Sequence, residues 1–443
     1  MRLAIIGGGG FRVPLVYQAL TAGEPLIDEI SLYDTSAARL AVIENVLSQL
    51  NPEQHPIRVR ATTVLDESLA GADFVFSAMR VGGLRGRIAD ERAALGLGLI
   101  GQETTGPGGI AYALRTIPVA MHLARRVLAV APAAYVVNFT NPAGVITEAM
   151  RDVLGDRVIG ICDTPSGLGA RLAGLFGAPQ DEVLLDYAGL NHLGWLRAAH
   201  YRGRDLVAEA LAADEALNLL EETQILGADW IRTLGMIPNE YLYYYYCARE
   251  SLRTATQSTR TRGEFLRGQQ DEFYQYAAAH PAEALAAWRR TREDRESSYM
   301  SEARPPGTAR PAAAGGGGYE RVALSLIRAI GTGLPATLVL NVRNGDTLAG
   351  LPADAVVEVP CTVDATGAHP LAGTGLAGTG LGGAELGLVQ QVKAVEQLTI
   401  RASLERDPGL ALQALALHPL VDSVAVAREL LGVYRRNEPA LFD

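Results

Sequence analysis

The glycines Gly7-Gly8-Gly9-Gly10 follow directly on the apolar run Leu3-Ala4-Ile5-Ile6 and precede the helix-patterned stretch Val13-Pro14-Leu15-Val16-Tyr17-Gln18-Ala19-Leu20. A short β-branched run that passes through glycine into a helix opens a βαβ unit, which obliges its strands to lie parallel with both faces covered. Strand-like runs at 29–33, 73–78, 134–139 and 158–162, with helical stretches such as 112–131 between them, continue the alternation. Together with the first run they predict a doubly wound, Rossmann-type parallel sheet of five strands.

Past about residue 165 the alternation stops, and the strand-like runs 184–187 and 337–342 lie far apart among helical stretches. The fold class is therefore α/β, with a nucleotide-binding domain over 1–165 and a larger α+β lobe over 166–443. The segments 305–318 and 371–383, rich in Pro, Ala, Gly and Thr, read as surface loops. Helical periodicity returns at Leu388, Val389, Val392, Val395 and Leu398 and again over 421–434, and these helices are expected to pack on the lobe or on a partner subunit.

Charge and composition exclude several classes. Lys and Arg total 39 against 49 Asp and Glu, so the net charge of −10 argues against a nucleic-acid binder or a protein of anionic membrane surfaces. An anionic substrate would need a local basic pocket. The N-terminus lacks the apolar core of a secretory signal, no run approaches a membrane span, and the cysteines are only Cys162, Cys247 and Cys361. These features point to a cytoplasmic protein.

The glycine run sits where backbone N–H groups and a helix N-terminus can approach a pyrophosphate, which makes Gly7, Gly8, Gly9, Gly10 and Phe11 candidate cofactor contacts. The third glycine of the dinucleotide fingerprint is missing, because Arg12 takes its place. Asp34 ends the second strand, where a carboxylate accepts from ribose hydroxyls and repels a 2′-phosphate, so NAD is favoured over NADP. Cys162 and Asp163 end another strand at the carboxyl edge of the sheet, and His192 follows about thirty residues later. A thiolate and an imidazole can share a divalent metal with positions left open for substrate oxygens, although each residue alone fits a core role as well. The run Tyr241-Leu242-Tyr243-Tyr244-Tyr245-Tyr246 covers more than one face of any element, leaving either a reactive phenol or stacked core aromatics. Arg80, Arg87 and Arg115 flank Gly101-Gln102-Glu103-Thr104-Thr105-Gly106, and Arg260 and Arg262 lie downstream, all of a type suited to phosphate oxygens.

Taken in series, the glycine run, Arg80-Val81-Gly82-Gly83, Gly101-Gln102-Glu103-Thr104-Thr105-Gly106, Asn138-Phe139-Thr140-Asn141-Pro142, Cys162-Asp163-Thr164-Pro165, Gly189-Leu190-Asn191-His192 and Asn239-Glu240-Tyr241 resemble glycoside hydrolase family 4, in that family's order. The resemblance implies a lactate/malate dehydrogenase-like architecture and a redox-assisted glycosidase, an exception to the two-carboxylate rule. NAD would accept a hydride from C3 of the sugar, the ketone would acidify the C2 proton, and the C1 group would leave by elimination. By residue-wise carry-over, Cys162 and His192 would bind Mn2+ or another divalent metal, and Tyr241 would remove the C2 proton. Asn141, Arg87 and Arg262 would bind the sugar or its 6-phosphate, and Asp163 would contact substrate.

Asp163 is also the informative departure. Relatives acting on β-linked substrates usually carry Asn there, whereas those acting on α-linked ones can carry Asp, which can protonate the leaving oxygen. The rest of the chain, especially 138–148 and His418-Pro419-Leu420-Val421, looks more like the 6-phospho-β-glucosidases. A 6-phospho-β-glucosidase is thus expected, with a 6-phospho-α-glucosidase or a malate/lactate-type dehydrogenase as alternatives. The expected partner is a phosphorylated disaccharide or glucoside, and the expected assembly a homodimer or homotetramer.

Overall fold

The computed structural model describes residues 1–22, 25–50, 57–304, 318–371 and 380–442. The strands are β1 (Arg2–Ile6), β2 (Glu29–Tyr33), β3 (Arg58–Thr62), β4 (Phe74–Ser77), β5 (Tyr135–Asn138), β6 (Val158–Gly160), β7 (Leu184–Leu190), β8 (Leu193–Tyr201), β9 (Arg204–Asp205), β10 (Ile237–Pro238), β11 (Ala336–Arg343), β12 (Val356–Asp364) and β13 (Gly367–Pro370). The first six pair in parallel in the order β3-β2-β1-β4-β5-β6, the doubly wound arrangement whose ligand crevice lies at the carboxyl ends of β1 and β4. β1, β2 and β4 are almost wholly buried, which is why they read as continuous apolar runs.

The expectation of five strands falls short by one. β3, Arg58-Val59-Arg60-Ala61-Thr62, is the edge strand, partly exposed and lacking an apolar run. Its arginines serve the edge instead, with Arg58 and Arg60 placed 3.5 Å and 3.6 Å from the Glu29 carboxylate on β2.

The strands of the second lobe do not build a separate sheet. Among the described residues, β11 joins β6 antiparallel through Asn341 opposite Gly160, and the sheet runs on through β12, β7, β8 and β10. Gly160 permits this junction, because a Cβ there would fall 2.4 Å from Thr147 Oγ1 and 2.7 Å from Asn341 Cβ. β7 and β8 form a hairpin whose two-residue turn is Asn191-His192, with Leu190 opposite Leu193 and His192 at φ 63°. Local chain geometry thus decides where His192 stands.

The helix expected over 112–131 spans Pro107–Val130, and its buried face packs on β4 and β5. The terminal helices are Gly383–Leu404, Pro408–Leu417 and Val424–Asn437, joined to Pro107–Val130 by a cluster that includes Leu114, Val395, Ala414, Leu430 and Tyr434. Most of 305–318 and 371–383 lies outside the described residues. No described helix is long and apolar enough to cross a membrane.

Candidate active site

A cavity of about 1600 Å³ opens at the carboxyl ends of the parallel strands, and most of the sequence-predicted residues meet on its walls. At one end is the glycine turn. Gly7 N and Gly8 N both donate to Tyr33 O, at 2.9 Å and 2.7 Å, and Gly10 N donates to Gly7 O at 2.9 Å. Asp34 braces the turn, with Oδ2 accepting from Gly9 N at 3.1 Å and Oδ1 from Ser36 N at 3.0 Å. Gly7 has φ +89°, and a Cβ on Gly8 would fall 2.7 Å from Leu32 Cβ. Gly7, Gly10, Phe11 and Asp34 line the cavity, whereas Gly8 and Gly9 are pressed against Leu32 and Arg39. The Phe11 ring is committed to packing, edge-on to Phe273 at 5.3 Å, while its carbonyl accepts from Trp288 Nε1 at 2.9 Å. This Cβ-free cradle before the helix Val13–Thr21 fits the pyrophosphate of a dinucleotide.

Cys162 follows β6 and is 4% exposed, and His192 is 8% exposed; both line the cavity. Burial drives the His192 imidazole down to about 3, so the ring is neutral at pH 7. Burial, reinforced by Glu358 and Asp163, pushes the Cys162 thiol well above its ordinary value. A divalent cation reverses that preference by stabilising the thiolate. Among the described residues no group of three or more His, Cys, Asp and Glu side chains forms a closed metal cage. Asn141, also on the cavity wall, keeps its Oδ1 buried without a hydrogen-bond partner. One sulfur and one imidazole on the wall of the same cavity fit a cation whose coordination substrate oxygens complete, rather than a closed structural site.

Tyr241 stacks face to face on His192, with ring centroids 3.7 Å apart and planes 2° from parallel. Its backbone is pinned as Asn239 Oδ1 caps the short turn Glu240–Leu242 by accepting from Tyr241 N at 2.9 Å. The Tyr299 hydroxyl lies 3.2 Å from that of Tyr241 and 3.3 Å from Glu240 Oε1, which also accepts from Thr164 Oγ1 at 2.9 Å. Burial, with Glu240 adjacent, pushes the Tyr241 phenol well above its ordinary value. Burial, then Glu222 and Glu221, raises Glu240 itself to about 8. The other tyrosines of the run divide among duties: Tyr243 and Tyr244 are buried in the lobe core, Tyr245 stacks on His418, and Tyr246 accepts from Trp195 Nε1.

Arginines crowd the remaining wall. Glu103 is shared by Arg80, 2.5 Å away, and Arg87, 2.7 Å away, and Arg87 also holds Glu91 at 2.6 Å. Burial opposes ionisation of Glu103, but Arg80 and Arg87 outweigh it and hold the carboxyl well below its usual range. Arg262 donates to Ser298 Oγ at 2.9 Å and to Arg295 O at 3.1 Å. The Arg295 guanidinium is destabilised by burial and then by Arg12, Arg80, Arg262 and Arg87, so this wall carries positive charge in excess. Asp163 starts the helix Thr164–Leu175 without capping it, and its charge acts on Arg12. Arg115, by contrast, is tied to Asp90 at 2.7 Å.

Arg12, Arg295 and Tyr299 are given no role by a reading of the sequence, and Glu240 enters it only within the motif Asn239-Glu240-Tyr241. Arg12 left one sign, standing where a third glycine was expected; Arg295 lies in the charged helix Ala284–Ser297, where nothing local distinguishes it.

Comparison with known proteins adds independent findings. Residues 2–177 match the model for the family 4 glycosyl hydrolases, and residues 187–421 the model for the family 4 glycosyl hydrolase C-terminal domain. A 6-phospho-beta-glucosidase of Thermotoga maritima is 33% identical over 437 residues, covering 97% of each chain. A maltose-6′-phosphate glucosidase of Bacillus subtilis is 28% identical over 449 residues, covering 97% of this chain and 94% of the relative. A solved structure of the Thermotoga maritima 6-phospho-beta glucosidase with manganese, NAD+ and glucose-6-phosphate superposes with a TM-score of 0.82 at 29% identity, covering 99% of both chains.

Proposed function

The chain belongs to glycosyl hydrolase family 4, and from that membership and the cavity we propose that it is an NAD- and manganese-dependent 6-phospho-β-glucosidase. The observation that carries the reading is the stack of Tyr241 on His192 inside a cavity that begins at the glycine turn. It sets a phenol, a candidate ligand pair and a dinucleotide cradle around one volume.

In this reading Arg12, Arg262 and Arg295 hold the 6-phosphate, while Arg80 and Arg87, braced by Glu103, wall the same side. Asn141 Oδ1, which lacks a partner, accepts from a sugar hydroxyl. Gly7, Gly10, Phe11 and Asp34 would hold NAD, with Gly8 and Gly9 shaping the turn between them, and Cys162 and His192 would hold a divalent cation; when bound these groups supply a reversible hydride acceptor and Lewis-acid polarisation that favours a phenolate. Tyr241 takes the C2 proton on its hydroxyl oxygen, and the stack denies its ring the freedom to swing away. Asp163, on the wall of the same cavity, contacts the substrate. The cavity's walls come from both 1–165 and 166–443, so nucleotide binding falls to the first and the proton-moving phenol to the second.

The β preference is supported by 33% and 31% identity to the 6-phospho-beta-glucosidase of Thermotoga maritima and a probable one of Bacillus subtilis, against 27–29% to the maltose-6′-phosphate and 6-phospho-alpha-glucosidases. Asp163 favours a second reading, a 6-phospho-α-glucosidase of the same family. Aryl 6-phospho-β- and α-glucosides assayed in parallel with NAD and Mn2+ in deuterated water test both. The first reading requires β-cleavage with deuterium at C2; a product free of deuterium refutes the mechanism, and NADH accumulating in proportion to substrate would indicate a dehydrogenase. A homodimer or homotetramer is part of the same proposal, checked by light scattering, and cytoplasmic residence by fractionation.

A further inference from the structure

Which nitrogen of His192 carries its hydrogen follows from the bonds around Gln102. Gln102 Oε1 lies 2.5 Å from Thr104 N and 2.6 Å from Thr105 N. Both backbone groups can only donate, so the side-chain atom between them is the amide oxygen. The same oxygen lies 3.0 Å from Thr104 Oγ1, in reach of that hydroxyl's one hydrogen. With its hydrogen turned to Gln102, Thr104 Oγ1 presents lone pairs to His192 Nδ1, 2.9 Å away. In that arrangement the ring nitrogen is the donor.

The segment has no slack to rearrange. The helix Pro107–Val130 sits so close that a Cβ on Gly108 would fall 2.1 Å from Gln102 O, and one on Gly109 2.5 Å from Thr104 O. At the other end, the hairpin turn fixes His192 with φ 63° and Tyr241 covers one face of its ring.

We propose that Gln102 and Thr104 are positioning residues that lock His192 in its Nδ1–H tautomer, so that Nε2 offers a bare lone pair to a divalent cation. The inference deepens the metal role given to His192 above and rests on it. A ring in the other tautomer would present Nε2–H, which cannot ligate, and would set two lone-pair-bearing atoms against each other at Thr104.

The test is ¹⁵N NMR of histidine-labelled, metal-free full-length protein, with the His192 signals assigned by their loss in His192→Asn. Wild type and Thr104→Ser should show a hydrogen on Nδ1 and an unprotonated Nε2. Thr104→Val and Gln102→Met should bring in the Nε2–H form and weaken Mn2+ binding, followed by electron paramagnetic resonance, by about 10–100-fold. NAD affinity, unchanged, certifies the fold of each variant. An Nε2–H ring in wild type overturns the proposal, as does Thr104→Val with tautomer and Mn2+ affinity both unaltered. If the tautomer behaves as stated while wild type binds no Mn2+, the positioning role stands and the metal reading falls.

Discussion

Replacing Arg295 with Met should make the ligand-free protein more stable and its phosphorylated substrate bind less well. The opposite signs follow from charge balance on the cavity wall. Glu103 and Glu91 answer Arg80 and Arg87 at 2.5–2.7 Å, whereas the Arg295 guanidinium meets mainly like charges. With no anion bound, a partly buried cation among cations only costs free energy, and a side chain of similar length that keeps contact with Phe11 removes that cost. Arg262 loses nothing, because it bonds the Arg295 carbonyl, which remains. With a 6-phosphate bound, the same cation contributes a charge-assisted hydrogen bond of about 1.5–3 kcal/mol, or roughly 10- to 150-fold in affinity. Arg295→Met should therefore raise the midpoint of urea unfolding without phosphate, shrink the stabilisation given by added inorganic phosphate, and raise KM for a 6-phospho-β-glucoside by that factor. An unchanged KM together with a lowered midpoint would show that Arg295 is a structural brace and refute the argument.

Tyr241→Phe keeps the ring on His192 and removes only the proton acceptor, so kcat should fall by about 10²- to 10⁴-fold with C2 deuterium exchange lost and the thermal midpoint nearly unmoved. Glu240, raised to about 8 in the fold against 4.5 in the open chain, keeps its proton while the unfolded chain has lost it. Stability contributed below about pH 4.5 is then lost as pH rises towards 8, at up to about 1.4 kcal/mol per unit, and Glu240→Gln should flatten that slope in urea titrations run at successive pH values. Lys393, 1% exposed, is held by Glu148 at 2.8 Å and Glu396 at 2.5 Å, and Lys393→Met should cost about 3–5 kcal/mol by stranding those carboxylates, as read by chemical unfolding. A loss under 1 kcal/mol would mean that the carboxylates take up protons or water instead.

Much of this protein is legible in its sequence because the signals are local. Leu3-Ala4-Ile5-Ile6 before glycine specifies a buried parallel strand and its turn, since periodicity and backbone freedom act over a few residues. The series of short motifs from the glycine run through Cys162-Asp163-Thr164-Pro165 and Gly189-Leu190-Asn191-His192 to Asn239-Glu240-Tyr241 was enough to suggest the family and its chemistry. Edge strand β3 was lost because an exposed edge needs charge rather than an apolar run.

Only the tertiary structure decided which side chains face one another. The continuation of the sheet from β6 into β11, β12 and β7 brings Cys162 and the His192 hairpin to one cavity, and no pattern near either residue encodes that pairing across strands. The same convergence leaves Arg295 among arginines, sets Tyr299 against Tyr241 and aims Gln102 through Thr104 at His192. Electrostatic and hydrogen-bond roles depend on distance and burial in space, which the chain acquires when it folds, whereas the strand, the turn and the helix are already written in its local order.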